Sequence, residues 1–230
     1  MPRISPTSFT GIYIETTGNP NRSDYYKETT SALDELNRGH AGRTVIRNIE
    51  AACEMDPEKR VVISKTDQGS EANMPGHWTG CARPTRDPFV PFVAGRGESV
   101  AVRYNSRFGR RFDDQSVNGQ PDPSLAYVFL GHELIHASRT LQGTQYRVSR
   151  GRPDVDEDSG AAEEELRTVG IGQYEDEYPS ENAIRREHGL APRTSYSGNT
   201  GTNLREPPER NSQYTEARLR SLNARRWSDM

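Results

Sequence analysis

The segment Pro123–Leu141 constrains this chain more than any other. Its only proline stands at its start and its only glycine is Gly131, so it reads as the strongest helix in the sequence. On that helix His132 and His136, four residues apart, share one face, with Glu133 immediately beside the first. Any fold the chain adopts has to seat this helix and complete the polar group it carries. The 230 residues, 31% hydrophobic and 27% charged, supply one real core but not two large domains. A mean hydropathy of -0.93, with 20 Gly and 15 Pro, assigns a sizeable share of the chain to loops and tails.

Residues 1–8 are mostly Ser, Thr, Pro and Arg and are expected to be disordered. Phe9–Glu15 has the β-prone content of a short strand, and a turn-rich stretch follows it. Ala32, Leu33 and Leu36 recur at helical spacing within Tyr25–Asn37, and Val45, Ile49, Ala52 and Cys53 do so within Arg43–Glu54. Arg60–Lys65 and Ser99–Asn105 read as strands, separated by a long Gly- and Pro-rich loop that contains His77 and Trp78. Beyond the central helix come an acidic loop at 150–160, a helix over Ala161–Val169 that stops near Gly170, and a charged tail with enough apolar residues for a peripheral helix.

A formal charge of -3 and a pI near 6.0 give no bulk attraction to nucleic acid or acidic lipid. The basic residues are nearly all arginine, since only Lys27, Lys59 and Lys65 are lysines; a GC-rich genome accounts for that bias more simply than bidentate carboxylate pairing does. Cys53 and Cys81 are too few for a disulfide scaffold and lack metal-site spacing. No run is long and apolar enough to span a membrane, and the start lacks the basic-then-apolar pattern of a secretory signal.

Two imidazoles on adjacent helical turns present a rigid pair of nitrogen donors suited to zinc, and Glu133 can take the proton of a water attacking a peptide carbonyl. A catalytic zinc needs a third protein ligand. Candidates are the loop acids Asp154, Asp156, Glu157 and Asp158, and the cluster Glu163, Glu164 and Glu165. A ligand borne on a helix is held more accurately than one on a loop, but composition does not choose among the three glutamates. Arg193 and Tyr196, three apart, are an arginine and a phenol of the kind that can stabilise an oxyanion.

HELIHASRTLQG, then EELRTVG, then PRTSY closely resemble, in that order, the motifs of the clostridial neurotoxin light chains. They are also similar to the small type III secreted zinc metalloprotease effectors of enterobacterial and plant pathogens, including Pseudomonas and Xanthomonas. The resemblance spans roughly residues 95–200 and implies an α+β fold, a minimal gluzincin core with a small mixed sheet packed on the His-Glu-x-x-His helix. It assigns His132, His136 and Glu165 to zinc, Glu133 to general-base work and Glu164 to orienting a ligand histidine. It gives Arg193 and Tyr196 the binding of the substrate carbonyl. It further implies a disordered secretion segment over roughly residues 1–25, a single metalloprotease domain over 26–230, and delivery through a type III system into the host-cell cytoplasm. The partners it implies are a host protein substrate, such as a signalling kinase, and a secretion chaperone.

The residues themselves offer few clues to substrate. Ser99–Asn105 is either a buried strand or the edge that pairs with an extended peptide. Arg103, Arg107, Arg110 and Arg111 form a basic stretch able to receive an acidic peptide or a phosphorylated loop, though most such clusters are solvated surface. His77 with Trp78, or His188, could be a substrate wall or an extra ligand, though a polar-loop or helix-end histidine is the commoner case. Competing with the endopeptidase are a catalytically inactive or structural-zinc adaptor that binds a host protein, and a zinc hydrolase acting on a non-peptide bond.

Overall fold

The computed structural model describes residues 2–67, 70–72, 83–84, 92–111, 120–145 and 161–194. Among the described residues the strands are β1 (Pro2–Pro6), β2 (Ile12–Thr17), β3 (Val61–Lys65), β4 (Glu71–Ala72), β5 (Arg83–Pro84), β6 (Phe92–Val93), β7 (Val100–Tyr104), β8 (Arg110–Arg111) and β9 (Gln120–Pro121). The helices are α1 (Asp24–Arg38), α2 (His40–Met55), α3 (Ala126–Leu141), α4 (Ala161–Val169) and α5 (Glu181–Glu187). A five-stranded mixed sheet runs β1-β2-β3-β7-β4, parallel through β2, β3 and β7 and antiparallel at both edges. The fold is therefore α+β, with a small sheet packed on the helix that carries the two histidines.

Alternation builds the sheet's inner face. β2 turns in Ile12, Ile14 and Thr16, β3 Val61 and Ile63, and β7 Val100, Val102 and Tyr104. Against them pack Leu33 and Leu36 of α1, Val45, Ile46 and Ile49 of α2, and Leu130, Leu134, Ile135 and Leu141 of α3. Ser23 caps α1 by accepting the Tyr26 N–H at 3.2 Å. Gly131 is the one glycine inside α3, and a Cβ there would stand 2.8 Å from Ile184 Cδ1 and 2.9 Å from Leu36 Cδ2. Its absence lets α1 and α5 close on the same turn of α3.

Two expectations change. Residues 2–6, within the stretch expected to be disordered, form β1, with Pro2 to Pro6 in register with Thr17 to Tyr13 of β2, the strand expected near Phe9–Glu15. Composition misses this because β1 is held by its backbone and by hydroxyls: Ser5 and Thr16 meet at 3.3 Å, and Tyr26 donates to Pro6 O at 2.7 Å. The strand at Ser99–Asn105 forms as β7 but lies inside the sheet between β3 and β4, so its backbone is already paired and it is no docking edge. That edge is β4. Among the described residues no helix is long and apolar enough to cross a membrane.

Candidate metal centre

From Leu130 to Leu141 every residue of α3 is buried, including His132, Glu133, His136 and Arg139. Buried polar groups need partners, and α4 and α5 supply them. His132 Nε2, His136 Nε2 and Glu165 Oε2 form a near-equilateral triangle with sides of 3.1, 3.2 and 3.2 Å. A tetrahedral zinc with ligands about 2.0–2.1 Å away holds its donors about 3.3 Å apart, so this triangle fits such an ion. Among the described residues these three are the group able to hold a metal.

Behind His132, its Nδ1–H donates to Glu181 Oε2 at 2.9 Å, leaving Nε2 for the cluster. Glu181, at the start of α5, also accepts from Arg185 Nε at 2.7 Å and Arg193 Nη1 at 2.8 Å. Asn182 clamps the Arg193 backbone from both sides, accepting its N–H at 2.7 Å and donating to its carbonyl at 2.9 Å. Behind His136 stand Thr168, its hydroxyl 3.5 Å from Nδ1, and Glu164, whose carboxylate is 3.9 Å away. Arg139 Nη1 donates to both, at 2.8 Å each, and Nη2 donates to Glu177 at 3.2 Å. Arg167 completes this layer with a 2.7 Å bond to Glu177.

The charges follow from the partners. Burial opposes a proton on His132, but hydrogen bonds to Glu165 and Glu181 and the charges of Glu165 and Glu133 outweigh it, lifting the pKa to about 10. Burial pushes Glu165 up, yet the His136 charge and the bonds from both histidines hold it well below the usual carboxylate range. Glu181 is likewise held low against its burial, chiefly by the Arg193 charge and the His132 bond. Glu133 goes the other way: burial raises it, against the pull of both histidines and a hydrogen bond from the Ala72 backbone of β4.

The structure thus brings His132, Glu133, His136 and Glu165 together. It sets Glu164 against Arg139 rather than within hydrogen-bond reach of His136, and seats Arg193, 8% exposed, on Glu181. Tyr196, His77, Trp78 and the acidic loop lie outside the described residues. His188 packs against Tyr127 and Glu35 at the end of α5, in contact with neither cluster histidine. Sequence reasoning missed Arg139, Thr168 and Glu181. Arg139 and Thr168 each follow a cluster residue by three positions, His136 and Glu165 respectively, and so share its helical face. Ser180, which caps α5 by accepting the Ala183 N–H, signalled a helix start that its seven residues were too few to support by periodicity.

A His-Glu-x-x-His helix whose imidazoles meet a glutamate from a later helix, on a small mixed sheet, defines a metallopeptidase-like site of the gluzincin type. The chain belongs to the Peptidase M91 family of effector proteins, which it matches over residues 11–196. None of the curated proteins matches its sequence. Among solved structures it is similar to the Clostridium botulinum neurotoxin serotype F light chain, at 18% identity and a TM-score of 0.43, over 73% of this chain and 56% of that one. It is also similar to the botulinum neurotoxin serotype HA light chain, at 15% identity and a TM-score of 0.42, over 80% of this chain and 63% of that one. The chain therefore spans less than two thirds of either light chain.

Proposed function

We propose that this protein is a zinc endopeptidase that cleaves a host-cell protein after delivery by a bacterial type III system. The observation that carries the reading is the buried donor triangle of His132, His136 and Glu165 with Glu133 beside it. These three residues would hold the zinc, with Glu181 fixing the His132 tautomer. A bound zinc supplies a Lewis acid that polarises the scissile carbonyl and acidifies the attacking water. Glu133 takes the proton of that water and returns it to the leaving amine. Arg193, which Glu181 and Asn182 anchor, would act with Tyr196 in binding the substrate carbonyl oxygen. Glu164 acts with Arg139 and Thr168 in holding His136.

The substrate class is a host signalling protein, a kinase being the first candidate, and a secretion chaperone is the expected partner before delivery. Wild type and Glu133→Gln are compared in host-cell extract by mass spectrometry of new protein N-termini, with zinc content measured in both. The reading requires sites present only with wild type while both proteins hold one zinc. Identical termini from two folded, zinc-loaded proteins would instead favour a host-protein adaptor, which has no use for Glu133.

A further inference from the structure

Near its start α4 carries three consecutive glutamates, and each goes to a different place. Glu165 Oε2 meets both cluster nitrogens, Glu164 Oε1 accepts from Arg139 Nη1 at 2.8 Å, and Glu163 Oε1 accepts from the Tyr174 phenol. Successive residues of a helix point about 100° apart, so rotating α4 by one residue would turn Glu164 toward the histidines in place of Glu165. A helix of nine residues does not hold its own rotation, because its stability and orientation come from tertiary contacts. The contacts of Glu163 and Glu164 therefore bear directly on which carboxylate completes the triangle.

Both contacts trace back to the segment that follows α4. Gly170, at φ +80°, ends the helix, its N–H and that of Ile171 both donating to Leu166 O, at 2.9 and 3.2 Å. A Cβ there would lie 2.6 Å from Ser180 Oγ, and Asn182 Nδ2 donates to Gly170 O at 3.2 Å, so the reversal is fastened to α5. The chain then turns back through Gly172–Tyr174, and Tyr174, 1% exposed, brings its hydroxyl to the first turn of α4, 11 residues earlier in the sequence. Glu177 N–H donates to Tyr174 O at 2.9 Å, and the Glu177 carboxylate holds Arg139 and Arg167, the two cations beside Glu164. One returning segment thus grips Glu163 directly and Glu164 through arginine.

We propose that Tyr174 is a positioning residue of the metal centre: its phenol, by holding Glu163, fixes the rotation of α4 so that Glu165, and neither glutamate before it, faces His132 and His136. The bond joins a buried hydroxyl to a carboxylate, a charge-assisted pairing stronger than one between neutral groups. Without the phenol, the first turn of α4 can roll about the Glu164–Arg139 contact and carry Glu165 away from the triangle. The inference rests on the zinc site of the endopeptidase reading.

Its test compares wild type, Tyr174→Phe, Glu163→Gln, Glu163→Leu and the double variant Tyr174→Phe/Glu163→Leu. Zinc affinity is measured by competition with a chelator, and cobalt(II) serves as a spectroscopic probe, since a four-coordinate site absorbs far more strongly in the visible than one of higher coordination. Tyr174→Phe keeps the buried ring and should weaken zinc binding on the order of tenfold, with a fall in cobalt absorbance. Glu163→Leu should do the same, Glu163→Gln, which keeps an acceptor oxygen, should stay near wild type, and the double variant should be no worse than either single change. A merely structural role would lower the melting temperature of the metal-free protein without moving the cobalt spectrum. Wild-type affinity and spectrum in Tyr174→Phe, or a loss that Glu163→Leu does not share, overturns the proposal. If Tyr174→Phe does not fold, Glu163→Leu against Glu163→Gln decides the same point at the half-buried end of the bond. A wild type that binds zinc but cuts no host protein removes the endopeptidase reading without touching these results, and one that binds no zinc removes both.

Discussion

The two sides of α3 are built from opposite materials. Toward α1, α2 and the sheet it meets Leu33, Leu36, Ile46, Ile49 and Ile63, an apolar core whose cohesion comes from area removed from water. Toward α4 and α5 it meets a buried ionic layer: Glu164, Arg167, Glu177, Glu181, Arg185 and Arg193 are each no more than 9% exposed. Buried ion pairs repay their desolvation only when every member is present, so the second side is costly to build and fragile to single changes. What it provides is fixed orientation for His132 and His136. The first side should therefore set stability smoothly, and the second should govern metal binding and fail abruptly.

The largest expected effect tests that fragility. Glu181→Gln keeps the shape of the side chain but leaves Arg185, fully buried, and Arg193 without their shared carboxylate. Unfolding in urea should show a loss of about 3–5 kcal/mol. A loss below about 1 kcal/mol would mean the layer relaxes or admits water, and the contrast between the two sides would collapse.

Next in size is metal affinity. Thr168→Val removes the hydroxyl nearest His136 Nδ1 and one acceptor of Arg139, whereas Thr168→Ser keeps both. Competition with a chelator should show zinc affinity falling about 10- to 100-fold in the valine variant and recovering in the serine variant. Equal affinities would remove Thr168 from the positioning of His136.

The ionic side should also give the metal-free protein its pH dependence. His132 has a folded pKa of about 10 against an ordinary value of 6.5, so its contribution is complete below about pH 6.5 and is lost as pH rises through about 10. Glu165 and Glu181 are depressed, so theirs is present above the ordinary carboxylate value of 4.5 and is lost in acid. Melting temperature in chelator should therefore decline on the alkaline side of about pH 6.5, and His132→Asn should flatten that decline. An unchanged alkaline slope in His132→Asn would place the proton elsewhere.

The same division explains what could be read from the sequence. The apolar side was legible because its residues repeat: Ala32, Leu33 and Leu36 on α1 and alternate residues on β3 and β7 fix both period and face. The histidine pair was legible because one helix carries both. Glu165 needed the resemblance, since three consecutive glutamates look alike until a helix rotates one toward the cluster. Glu181 was invisible because its tie to His132 spans 49 residues and has no period. β4 was hidden for a similar reason, as a two-residue strand defined by its pairing with β7 rather than by its own composition.

On the apolar side, Ile49→Val should cost about 1 kcal/mol and leave both zinc affinity and the alkaline slope unchanged. A fall in zinc affinity would show that core packing, and not only the ionic layer, sets the histidine geometry.

The smallest effect is expected where chemistry is matched and solvent is not. Arg38 and Glu35 on α1 approach at 2.6 Å with i,i+3 spacing, much as Arg185 and Glu181 on α5 approach at 2.7 Å with i,i+4 spacing. Distance therefore does not distinguish them, but exposure does: the α1 side chains are 74% and 35% accessible, the α5 pair 1% each. Water and salt screen the first pair, and ordering two long side chains offsets most of the remaining attraction. Arg38→Gln should lower the unfolding free energy measured in urea by no more than about 0.5 kcal/mol, a difference that fades with added salt. If it instead approached the Glu181→Gln loss, bond length rather than burial would govern these pairs, and the division of α3 into two unlike sides would lose its physical basis.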